Sequence, residues 1–123
     1  MEKKVLIIED EADIRDAIAE AIEEINYEVK TAENGEAGLA IALEWHPDLI
    51  LLDLVMPVMD GHETLKRLRQ DAWGKGARVI ILSAMEGAGD IAGAHSENIE
   101  DYIIKAHNSL DEIVNKVRLS IYS

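Results

Sequence analysis

The sequence predicts an α/β fold built on a parallel sheet, and three observations lead there. Short apolar runs recur along the chain: Val5 to Ile8, Leu49 to Leu52, Val79 to Leu82 and Tyr102 to Ile104. Segments with apolar residues at helical spacing alternate with them, the pattern of successive βαβ units. The runs are apolar almost throughout rather than at every second residue, as expected of strands covered on both faces.

Each element has its own local reason. After the first run, Ile14, Ile18, Ile22 and Ile25, with Ala17 and Ala21, form one stripe and predict a helix over 13–25. Asp13 falls in its first turn, where the helix dipole favours an acid. A short, mixed segment over 29–32 predicts an edge strand. Asn34 and Gly35 break the chain, and a helix over 36–45 ends at His46 and Pro47. The Leu49 strand leads into a loop through Pro57 and Gly61, with Asp48 and Asp60 read as turn formers. A helix over 62–70 follows, and Gly74 and Gly76 punctuate the approach to the Val79 strand. Gly87, Gly89 and Gly93 predict a weak helix in a mobile stretch over 85–98. The last helix covers 109–121: Ser109 and Glu112 have capping-box spacing, and Leu110, Ile113, Val114, Val117 and Ile121 share a face. Five strands thus alternate with five helices, in a single domain over residues 1–123.

Bulk properties narrow the function. The net charge is −13, from 25 acidic and 12 basic residues. Counterion release requires Lys and Arg facing phosphates, so direct nucleic-acid binding is not expected. The absence of cysteine excludes disulfides, thiolate chemistry and Cys-bound zinc, and agrees with a cytoplasmic protein. No secretory signal pattern or membrane-length apolar stretch is present. The four histidines (His46, His62, His95 and His107) have no ligand spacing.

The informative residues stand where the strands end. Glu9 and Asp10 follow the first strand, Asp53 ends the third, Ser83 ends the fourth and Lys105 follows the fifth. In open α/β sheets the ligand crevice lies outside the carboxyl ends of the strands, so these groups converge. Each like-charged pair at ~4 Å costs about 4 kcal/mol at an effective dielectric of ~20. Such a cluster must protonate, bind a cation or disrupt the fold. Its all-oxygen donor set suits Mg²⁺ or Mn²⁺. A carboxylate nucleophile, a divalent metal, a lysine and a hydroxyl are the parts needed to form an aspartyl phosphate. No glycine-rich nucleotide cradle is present, so the donor must bring its own.

These stretches resemble the receiver domain of two-component response regulators, in order and in spacing. The resemblance rests on four pieces: Val5 to Glu11; Pro47 to Gly61, including Met56, Pro57, Met59 and Asp60; Val79 to Ala84; and Asp101 to Lys105. It covers essentially the whole chain. It implies a five-stranded parallel sheet of order 2-1-3-4-5 with helices on both faces, doubly wound and flavodoxin-like. It implies Asp53 as phosphoacceptor, with metal held by Glu9 (mainly through water), Asp10, Asp53 and the backbone carbonyl of Val55. Ser83 would be the switch hydroxyl and Lys105 the phosphate-binding lysine. Tyr102 would be the aromatic that reports phosphorylation on the face of the fourth helix, fifth strand and fifth helix. The implied donor is a sensor histidine kinase or phosphotransfer protein, and the implied module is a monomer or weak dimer, not an enzyme in the ordinary sense.

The chain departs from the family's pattern in places. Ala106 stands where a proline in a cis peptide is usual, so a trans bond is expected there. Glu9 is longer than the common aspartate. Val55 and Met85 are apolar at flanking positions that are often polar, which predicts slow self-dephosphorylation. Two other functions compete: a phosphorylation-independent docking module, and a phosphatase working through an aspartyl phosphate. Such phosphatases commonly carry a second Asp two residues after the nucleophile, where this chain has Val55.

Overall fold

The computed structural model describes residues 3–56, 58–83, 101–105 and 108–122; for Ser83, Asp101 and Ile104 it describes the backbone alone. The elements are β1 (Lys4–Ile8), α1 (Ala12–Glu23), β2 (Glu28–Ala32), α2 (Gly35–Trp45), β3 (Leu49–Asp53), α3 (Gly61–Gln70), β4 (Val79–Ser83), β5 (Asp101–Ile104) and α4 (Leu110–Ile121). The expected helix over 85–98 lies outside the described residues. So does the peptide between Lys105 and Ala106.

All four strand pairings are parallel, and the order is β2-β1-β3-β4-β5. The mixed segment does form an edge strand. Alternate strand residues feed two cores. Leu6, Ile8, Ile50, Leu52 and Ile81 pack with Ala42 of α2 and Leu65 and Leu68 of α3. On the other face Val5, Ile7, Leu51, Ile80 and Ile103 pack with Ile18 and Ile22 of α1 and with Ile113 and Val117 of α4. Leu6, Ile7, Leu49 and Leu51 are fully buried, which is why these strands read as unbroken apolar runs.

The helix starts follow capping chemistry. Asn34 accepts from the Ala37 N–H at 2.8 Å and Ser109 from the Glu112 N–H at 3.2 Å, while Glu112 returns a bond to the Ser109 N–H at 3.0 Å. Asp60 is a cap as well, where a turn former was expected: its Oδ1 accepts from the Glu63 N–H at 2.9 Å. Asp48 likewise braces the sheet, accepting from the Lys4 N–H at 2.8 Å. Helix α1 departs from the expected stripe. Ala19 is buried and Ala17 is exposed, and Ile25 lies beyond the helix end. Alanine is too small for its burial to be read from spacing alone. A short 3₁₀ turn, Gly74–Gly76, was not foreseen. It is stapled by Arg69, whose Nη1 donates to the carbonyls of Gly74 and Ala77, both at 2.7 Å.

Candidate functional site at the carboxyl edge

The strand register assembles the site. Ile8 pairs with Leu52, so the next residues, Glu9 and Asp53, stand level on adjacent strands. Asp53 pairs with Leu82, and Ser83 with Ile104, so Ser83 and Lys105 follow one and two steps further out. One oxygen from each of Glu9, Asp10 and Asp53 lies within 4.8 Å of the others. The expected convergence of the three acids is therefore present, and Lys105 joins them. Its Nζ is 3.4 Å from Asp53 Oδ2 and forms a closer ion pair with Glu9 Oε1.

Glu9 is fully buried and Asp53 is 2% exposed, while Asp10 is the most open of the three. Two carboxylates that cannot both be hydrated raise each other's cost of ionisation. Burial first, and then the contact and charge of Glu9, push the Asp53 carboxyl from 3.8 up to about 8. Lys105 and the Val55 N–H, which donates to Asp53 Oδ1 at 3.2 Å, pull the other way. Burial lowers the Lys105 ammonium, but the contact with Glu9 and the charges of Asp53 and Glu9 outweigh it and the net shift is upward. Glu9 Oε2 accepts from the Glu11 N–H at 3.2 Å, whereas Oε1 is buried and accepts no hydrogen bond of good geometry. Crowded, partly unsatisfied oxygens of this kind fit a small, hard cation.

The loop after β3 is held tightly. A side-chain carbon on Gly61 would sit 2.3 Å from the Asp53 carbonyl oxygen and 2.6 Å from Leu54 Cα, so only glycine lets α3 begin this close to the acid. The Gly61 N–H closes the loop onto the Leu54 carbonyl at 2.9 Å. Leu54 and Met56 are buried, whereas Val55 (63% exposed) and Val58 (77% exposed) face solvent. Val58 has φ 71°, a left-handed conformation that a β-branched residue adopts only under constraint. Tyr102 is half-exposed on β5. The Ser83 side chain, Met85 and Ala106 lie outside the described residues. Sequence reasoning did not foresee the Glu9–Lys105 pair or Arg15, whose Nη1 donates to the Glu9 carbonyl at 3.0 Å. The extra methylene of Glu9 was the available signal for the pair.

A family model described as the response regulator receiver domain matches residues 5–118. The chain belongs to that family. Among its relatives is the transcriptional regulatory protein ResD of Bacillus subtilis, 37% identical over 117 residues, which are 95% of this chain and 47% of ResD. The chain spans about half the length of the first curated relatives it matches. Solved receiver domains share the fold. That of Thermotoga maritima CheB is 28% identical with a TM-score of 0.86, the alignment covering 100% of this chain and 98% of that one. The receiver domain of the Pseudomonas aeruginosa sensor histidine kinase PA1611 is 24% identical with a TM-score of 0.90 over 100% of both chains; it holds magnesium in its active-site cleft. This receiver domain is thus a module of two-component signal transduction, with the parallel order 2-1-3-4-5 that its sequence implied.

Proposed function

We propose that Asp53 accepts a phosphoryl group from a phosphohistidine donor and that the modification switches the face carrying Tyr102. The observation that carries this is the buried Asp53 carboxylate, with an ammonium 3.4 Å away and two further acids beside it. An Asp53 oxygen attacks phosphorus, the P–N bond to the donor imidazole breaks, and that nitrogen keeps the electron pair and takes up a proton. Glu9, Asp10, Asp53 and the Val55 carbonyl would hold Mg²⁺ (or Mn²⁺), which supplies the positive charge that keeps Asp53 ionised near neutral pH. Lys105 stabilises one phosphoryl oxygen and Ser83 another, both drawn inward as charge appears there. Those contacts exist in only one state, which is what allows phosphorylation to bias a conformational equilibrium. The phosphorylated residue is the domain's own, so the module is not an enzyme in the ordinary sense.

The donor is a protein, a sensor histidine kinase or a phosphotransfer protein, meeting the domain in the cytoplasm. A mainly apolar cleft of about 320 Å³ opens between α1 and α4, lined by Ile14, Ala17, Ile18, Leu110 and Ile113 with Lys105 at one end. It suits the apolar face of a donor helix that brings its histidine to Asp53.

Incubation with acetyl phosphate and Mg²⁺ should add one phosphoryl group per chain, read by intact mass. Asp53→Asn should abolish the gain; uptake by that variant at an equal rate would disprove the assignment. Failure of the wild-type domain to respond to either acetyl phosphate or beryllofluoride would favour the phosphorylation-independent docking reading. Val55 cannot orient an attacking water, so the phosphoryl group should persist for minutes or longer in Mg²⁺. Its loss within seconds would refute that expectation.

A further inference from the structure

The Lys105 ammonium is 13% exposed and lies between two carboxylates, and its closer partner is Glu9, not the phosphoacceptor. Glu9 is fully buried. Its Oε2 is held by the Glu11 N–H at 3.2 Å, and among the described residues the ion-pair partner of its Oε1 is Lys105. The Glu9 backbone is also fixed: its N–H donates to the Ala32 carbonyl at 3.0 Å, and its own carbonyl accepts from Arg15. The carboxylate therefore reaches Lys105 from a rigid base.

We propose that Glu9 is a positioning residue for Lys105, holding its ammonium in the cation's place until a divalent metal takes over the carboxylate and frees the lysine for the phosphoryl group. This rests on the functional reading above. Metal and ammonium draw on the same buried charge, and neither is fully compensated while the other keeps it. The contact depends on reach. An aspartate would withdraw the carboxylate by one C–C bond, about 1.5 Å, and leave Lys105 nearer Asp53 alone. The longer acid thus offsets part of the resting site's negative charge through Lys105, at the expense of metal affinity.

The test is a double-mutant cycle on Mg²⁺ affinity, measured by calorimetry on the wild-type domain, Glu9→Asp, Lys105→Met and the double variant, with thermal melts verifying the fold of each. With Lys105 present, Glu9→Asp should tighten Mg²⁺ binding about threefold to tenfold, although the charge count is unchanged. In the Lys105→Met background the same change should have an effect of less than about twofold. Equal effects in the two backgrounds, or weaker binding by Glu9→Asp alone, would overturn the proposal and leave the metal reading intact. Absence of Mg²⁺ binding in all four proteins would overturn both.

Discussion

The two edges of the sheet use polar residues in opposite ways. At the amino edge, exposed and half-buried polar groups find partners of fixed geometry. Asp48 takes the Lys4 N–H at 2.8 Å, and Arg78 donates to the Ser120 carbonyl at 3.0 Å and to the Ile121 carbonyl, tying the end of α4 to the sheet. The His46 ring stacks on Trp73 with centroids 4.3 Å apart, closing α2 through a left-handed residue. A polar cleft of about 330 Å³ lies here, lined by Lys3, His46, Asp48, Trp73 and Arg78 among others, well away from the acids. At the carboxyl edge three acids face one lysine, an oxygen of Glu9 lacks a well-formed hydrogen bond, and Val58 is held in an unfavourable conformation. A domain braces itself with paired polar groups and reserves uncompensated ones for its ligand. Strain and charge crowding are stored where something is to bind.

The acid cluster should give the largest response. Asp53 titrates near 8 when folded and near 3.8 when unfolded. Between those values the unfolded chain has released a proton that the native state retains, so stability falls as pH rises from about 4 to about 8. Thermal melts of the metal-free domain should therefore drop by several degrees across that window. Asp53→Asn should flatten the dependence and raise the melting temperature at pH 8. Mg²⁺ should stabilise the wild-type domain more at pH 8 than at pH 5. A wild-type profile that rises over this window would contradict the crowding at the carboxyl edge.

The amino edge should respond inversely. Arg78→Ala removes charge-assisted bonds to two helix-end carbonyls and should cost about 2 kcal/mol in denaturant unfolding. The rate of phosphorylation by acetyl phosphate, per folded molecule, should stay unchanged; a marked fall would mean the two edges are coupled. The smallest effect is expected in the loop after β3. Val58→Gly relieves a left-handed β-branched residue whose side chain is mostly in solvent. The gain should be about 0.5–1 kcal/mol after glycine's own entropy cost. A loss of stability there would show that the Val58 side chain contributes packing that outweighs the strain.

The strands, their alternation with helices and the identity of the acids are legible along the chain. Apolar runs such as Leu49 to Leu52 can be satisfied only by burial on both faces, and caps such as Asn34 and Ser109 act within one helical turn. Interactions confined to a few residues leave a direct mark on the pattern. Asp60 shows the limit even there, since a turn former and a helix cap use the same residue type. Distances between elements remote in the chain are set by the fold instead. The level pairing of Glu9 with Asp53 follows from strand register, and the exchange of Ala17 for Ala19 in the core follows from how α1 rolls onto the sheet. That Lys105 meets Glu9 before Asp53 depends on a side-chain length and a gap of less than a carbon–carbon bond or two, which no spacing along the chain encodes.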